Sequence, residues 1–360
     1  MTRVFISDCE GPISKNDNAL EVTTHFVPHG KRIFTTISKY DDILADLIRR
    51  LDYRAGGTLM LILPFLKAYG VTDRLIREFS HDNLTLIPEA RRTMTNIKNN
   101  MPTYIVSTSY EQYIQAVCKA IGFPLENTYS TKLSLDKYHI DSGEKAQLKK
   151  ACGEISKMQI PDIPIGASSL AELSAKTQSV VERLDQIFWR VIQKMKIGRI
   201  YSDIEPIGGI GKAEAVRDVT RRVSTTLEEV MYVGDSITDE DALKLVKKHN
   251  GLAVSFNGNR YAVKNADIAV MSQDSQVTDV IAEIFLCSGK TQTLNLVSNW
   301  SRRTLELALI RDVVKKRFLN MHPRNLPKTR IVTNENMENL IKESSKFRNK
   351  VRGDTVGRLG

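Results

Sequence analysis

The stretch "VFISDCEGPI" at residues 4–13 decides how the rest of the chain is read. Four residues of strand-like, apolar character run into Asp8 and Glu10, and a Gly-Pro turn follows at once. A strand that only filled a core would not need two acids at its tip. A strand that carries a reactive group to the edge of a sheet would.

Further along, strand-like and helix-like segments alternate. "TYIVST" (103–108) is followed by the helical "YEQYIQAVCKAIG", and "EEVMYVG" (228–234) by an acidic loop and a helix. "GLAVSF" and "ADIAVMS" add two short strands. This alternation predicts an α/β fold with a Rossmann-like parallel sheet covered on both faces. "GRIYSDI" (198–204) also reads as a strand. Residues 40–80 carry apolar residues at spacings of three and four and read as helices, as does the run from 168 to 196.

In such a sheet the active site forms where strands end. Asp8 and Glu10 follow the first strand, Ser107 and Thr108 the second, and Asp235 and Asp239 the strand "MYVG". Lys212 starts a helix behind "EPIGG". Carboxylates brought together repel unless a cation lies among them, and an all-oxygen set without His or Cys suits Mg²⁺. Magnesium with a lysine and a hydroxyl suits a phosphoryl group.

The set "DCEGP", "YIVSTS", "GIGKAEAV" and "VGDSITDEDAL", in that order, resembles the four motifs of the haloacid dehalogenase (HAD) superfamily, phosphoserine-phosphatase-like members above all. The resemblance covers roughly 1–20, 85–140 and 199–285. It implies that Asp8 is the nucleophile and Glu10 the general acid/base, with the Glu10 main-chain carbonyl on the metal. It implies Ser107, with Thr108, on the phosphoryl oxygens and Lys212 as the compensating cation. Asp235 would be a metal ligand, and Asp239 would lie in or just behind the ligand shell. "GLAVSFNGN" places Asn257 as a candidate substrate contact. The substrate expected is a small phosphorylated metabolite. Glu10 stands where the superfamily usually has Asp.

Each residue also has a plainer reading. Asp8 and Glu10 alone could be a solvated turn, and Ser107 or Thr108 a strand-ending cap. Asp235 and Asp239 could serve a helix N-terminus, and Asn257-Gly258 is first a turn signal. A nucleotide P-loop at Lys212 fails, because Pro206 stands at the first glycine's place and Ala213 follows the lysine. Alternation points Cys9 away from the acids, and Trp189 reads as helix packing.

The resemblance divides the chain into a core (1–20, 85–140, 199–287), a helical cap (21–84), a second helical insertion (141–198) forming a helical pair of its own, and a basic helical extension (288–360). The last 60 residues carry 15 Lys+Arg against 6 Asp+Glu, nearly all of the chain's net charge of +10. That basicity is expected to lie outside the catalytic body, as solvated surface or a protein-docking tail. Sparse aromatics argue against nucleic acid. Four scattered cysteines suit a reducing compartment. No apolar run is long enough for a membrane span, and a cytoplasmic location is expected. The whole chain is also similar to archaeal HAD proteins assigned to an energy-converting hydrogenase, which implies an alternative role as a weakly active or inactive accessory subunit.

Overall fold

In a computed structural model, residues 2–51, 53–161, 163–164, 167 and 169–357 are described. Seven strands form one sheet in the order β3-β2-β1-β4-β5-β6-β7. They are β1 (Val4–Ser7), β2 (Thr103–Tyr110), β3 (Thr128–Thr131), β4 (Val230–Gly234), β5 (Leu252–Phe256), β6 (Ile268–Met271) and β7 (Lys328–Ile331). Strands β1 to β6 pair in parallel, and β7 joins the edge antiparallel to β6.

The central strands are continuous apolar runs because both faces are covered. All of Val4–Ser7 is buried. Alternation sends Phe5 to one face, where Ile105, Met231, Ile114, Ile281 and Phe318 pack. Val4 and Ile6 go to the other, against Val106, Tyr232, Val216 and Val246. Each such side chain, fully buried, contributes roughly 1.5–3 kcal/mol.

Strand β1 lies between β2 and β4, with Ser7 level with Ile105 and with Val233. Three segments about a hundred residues apart in sequence therefore end side by side at one edge of the sheet. That register positions the site.

The segment 198–204 is a correction. Lys196–Arg199 is a 3-10 turn and Ile200–Asp203 a short helix. Ile197, Ile200 and Ile204 are buried, and their spacing of three and four is helical.

Cap and insertion do not stand apart either. Residues from Ala19 to Ile76 share one apolar core with residues from Leu133 to Ile204. Tyr40 stacks on Phe188 with ring centroids 5.7 Å apart. Trp189 Nε1 donates to Tyr40 Oη at 2.8 Å. The two insertions form a single helical layer over the strand ends. Ser168, the first residue of the predicted helical run 168–196, lies outside the described residues.

The C-terminal extension is integral as well. It supplies β7, and Leu305, Val314 and Phe318 are buried in the main core. Among the described residues, no helix is long and apolar enough to cross a membrane.

Candidate active site

Asp8 leaves β1 with its N–H bonded to Val233 O at 2.8 Å, which ties the tip of β1 to β4. Its carboxylate accepts the Cys9 N–H on Oδ1 at 2.7 Å and meets Lys212 Nζ on Oδ2 at 2.8 Å. Lys212 reaches in from the helix Ile210–Arg222 and is 0% exposed. The same ammonium lies 2.8 Å from Asp239 Oδ1. One lysine thus bridges two buried carboxylates.

Asp239 is saturated by protein donors. Tyr232 Oη gives Oδ1 a hydrogen bond at 2.7 Å beside the lysine. The Asp235 and Ser236 N–H groups donate to Oδ2 at 2.9 and 3.1 Å. Burial alone would raise its pKa, but Lys212 and these donors hold it below the ordinary value. Asp8 goes the other way. Burial first, and then the Asp239 charge, push it up to about 7 against the pull of Lys212.

Asp8, Asp235 and Asp239 each bring one carboxylate oxygen within 4.8 Å of the others. The donors are all oxygen and the carboxylates are buried, with Lys212 between Asp8 and Asp239 and two arginines, Arg348 and Arg352, on Asp235. This chemistry fits a hard divalent cation. Asp8 and Asp235 are the residues that would hold it, since Asp239 is already committed to Lys212, Tyr232 and the loop N–H groups.

Ser107 and Thr108, in the second half of β2, line the same cleft, which has a free volume of about 100 Å³. Ser107 Oγ lies 3.2 Å from Ser109 Oγ. Thr108 Oγ1 donates to Ile207 O at 2.9 Å and so ties the strand end to the Lys212 loop. Glu10 also faces the cleft, but its Oε1 accepts the Asn18 N–H at 2.8 Å. Burial first, then Asp17, raise the Glu10 carboxyl well above its usual range.

Asn257 does not join the others. Its side chain donates to Ser272 O at 2.7 Å and accepts from Ser272 N at 2.9 Å. It is a buried clasp between β5 and β6, as its turn sequence allowed, and it does not line the cleft. Cys9 packs into the core beneath the site, and burial raises its thiol pKa.

Family comparison decides the assignment. The model for haloacid dehalogenase-like hydrolases matches residues 60–283, well over half of the chain.

This chain belongs to that family.

The match begins after Asp8 and Glu10, so the hydrolase's first strand enters the site on its geometry. The gene product AF1437 from Archaeoglobus fulgidus has a similar fold. The TM-score is 0.79 at 24% identity, over 100% of this chain and 99% of that one. A phospho-aspartyl intermediate analogue of phosphoserine phosphatase overlaps more loosely, with TM-score 0.46 and 14% identity over 76% of this chain and 95% of that one. No curated protein matches the hydrolase by sequence.

The hydrolase's cleft contains residues that the motifs did not point to. Asp17, from the loop after β1, and Asp41 and Asp42, from the helix Gly30–Asp42, line it. Asp41 accepts from the N–H groups of Gly56, Gly57 and Thr58, which holds that loop over the strand ends. Arg348 and Arg352 line it from the C-terminal helix. Their spacing of four places both on one helix face. That was the available signal, and the tail's overall charge masked it.

Proposed function

We propose that this hydrolase cleaves a small phosphomonoester through an aspartyl-phosphate on Asp8, with Mg²⁺ as its cation. The observation that carries the reading is Lys212 Nζ at 2.8 Å from Asp8 Oδ2 and 2.8 Å from Asp239 Oδ1, at the strand edge that also presents Ser107 and Asp235. A buried ammonium beside a buried carboxylate compensates both the nucleophile and an incoming phosphoryl group.

In the first step an Asp8 oxygen attacks phosphorus. The bond to the leaving oxygen breaks, and Glu10 delivers its proton to that oxygen. In the second, water attacks the aspartyl-phosphate, Glu10 takes its proton, and the bond to the Asp8 oxygen breaks to release inorganic phosphate. The raised pKa of Glu10 suits the acid role in the first step. Ser107 would hold a phosphoryl oxygen and Thr108 the strand end beside it. Mg²⁺, held by Asp8, Asp235 and the Glu10 carbonyl, would supply charge stabilisation at the phosphoryl oxygens. The helical layer would exclude water and select the leaving group.

A second reading, an accessory subunit with weak or no turnover, is favoured by one contact. The Glu10 carboxylate is held by the Asn18 N–H, and proton transfer requires it to turn away from that donor. Four free cysteines agree with a reducing, cytoplasmic setting for either role.

The experiment is hydrolysis of p-nitrophenyl phosphate and a panel of phosphorylated metabolites, with and without Mg²⁺, by wild type and Asp8→Asn. Metal-dependent phosphate release that vanishes in the variant supports the phosphatase. Equal, metal-independent background from both proteins would leave the accessory role.

A further inference from the structure

Near the C-terminus a basic helix, Met337–Arg352, buries Leu340, Ser344 and Arg348 and lies beside the candidate site. Ser344 Oγ donates to Gly258 O at 2.6 Å and anchors the helix to the loop after β5. One turn later, Arg348, 2% exposed, pairs with Asp235 Oδ2 and donates to the Asp235 main-chain oxygen at 3.0 Å. Arg352 Nη1 reaches the same Oδ2 at 3.0 Å. Arg352 also donates to the main-chain oxygens of Lys15, at 3.1 Å, and Asn16. Both guanidinium groups therefore converge on one carboxylate oxygen of the cation-site triad.

The charges around the cleft show what this does. Asp8, Glu10, Asp17, Asp235 and Asp239 face Lys212, Arg348 and Arg352. With Asp41 and Asp42, which also line the cleft, acids outnumber bases there, a surplus that suits a divalent cation. Yet the carboxylate best placed to take that cation already holds two charge-assisted partners, and a cation arriving beside them meets two like charges at short range.

We propose that Arg348 and Arg352 are a built-in counter-cation that competes with the divalent metal for Asp235, so that the C-terminal helix sets how tightly the site takes its metal. The inference rests on reading the triad as a divalent-cation site. A bracing role alone would act with the opposite sign, because loss of the brace would loosen Asp235 and weaken metal binding.

The test titrates Mn²⁺ into the full-length protein and reads free Mn²⁺ by electron paramagnetic resonance, for wild type, Arg352→Gln and the Arg348→Gln/Arg352→Gln double variant. Competition predicts a dissociation constant lower by about 10-fold or more in the double variant, with the single variant between. Unchanged or weaker binding in folded variants overturns it. Absence of Mn²⁺ binding in every protein, wild type included, removes the cation reading and this inference together. A measurement on wild type needs no substitution. Saturating Mg²⁺ should speed amide hydrogen exchange in residues 337–352 as the arginines leave Asp235. Unchanged or slower exchange there also overturns the proposal.

Discussion

Gly11 lies against the Asp235 carboxylate so closely that a Cβ on Gly11 would overlap Oδ2. Its φ of +108° also lies where side chains are rarely tolerated. Gly11→Ala should therefore move Asp235 while leaving the sheet intact. The expected outcome is a loss of about 10²-fold or more in metal-dependent turnover, with a thermal midpoint within a few degrees of wild type. Full activity in the alanine variant would mean that Asp235 is not needed where it stands.

The two acids of the first loop should separate in a trapping experiment. Asp8→Asn should lose at least about 10³-fold of activity, because no side chain remains to take the phosphoryl group. Glu10→Ala should instead accumulate phospho-enzyme from a labelled phosphodonor, since the second step lacks its base. Hydroxylamine should release that label. Label that survives hydroxylamine would point to a residue other than Asp8.

Asp42 offers a pH signature on the cap side of the cleft. Burial first, then Asp41, push its carboxyl up to about 8 from an ordinary 3.8. The folded state thus holds a proton across the window from about pH 4 to about pH 8 that the unfolded chain has released. The unfolded state binds fewer protons there, so stability falls as pH rises, by at most about 1.4 kcal/mol per pH unit from this group. Asp42→Asn removes that slope. Urea unfolding at pH 5, 6.5 and 8 should show the variant gaining on wild type step by step, and parallel curves would contradict the shift.

The C-terminal extension should prove inseparable from the fold. Phe318 is 1% exposed and packs against Trp300 in the main core. Phe318→Ala should cost about 3–5 kcal/mol in urea unfolding. Truncation near residue 290 removes that side chain, β7 and the two arginines that line the cleft, and should yield protein that does not fold stably. The charge distribution alone suggested the reverse, that such a truncation would spare turnover. A soluble, active truncated protein would restore that view.

Much of the site was legible in the chain because its chemistry is local to short loops. Asp8 and Asp235 follow strands, Lys212 opens a helix and Ser107 lies in the second half of β2, and sheet topology takes such positions to one edge. The parallel sheet was legible for a similar reason, since strands buried on both faces are written as unbroken apolar runs. Other segments lacked such a signature. Asn257 has the same letters whether it turns a chain or touches a ligand, and its two bonds to Ser272 appear only in the fold. The three isoleucines at 197, 200 and 204 carry helical spacing, but a run of seven residues is short enough to read as a strand.

The sequence by itself determined the order of the motifs, the sheet class and the acids at the strand tips, because these follow from periodicity and turn chemistry over a few residues. Only the tertiary structure decided that Asp239 serves Lys212 and the loop, that cap and insertion share one core, and that Arg348 and Arg352 lie on Asp235. Those relationships join Tyr40 to Trp189, 149 positions apart, and the tail arginines to Asp235, 113 and 117 positions apart. Side-chain partners at such separations are selected by packing and charge in the folded state, which no local pattern encodes.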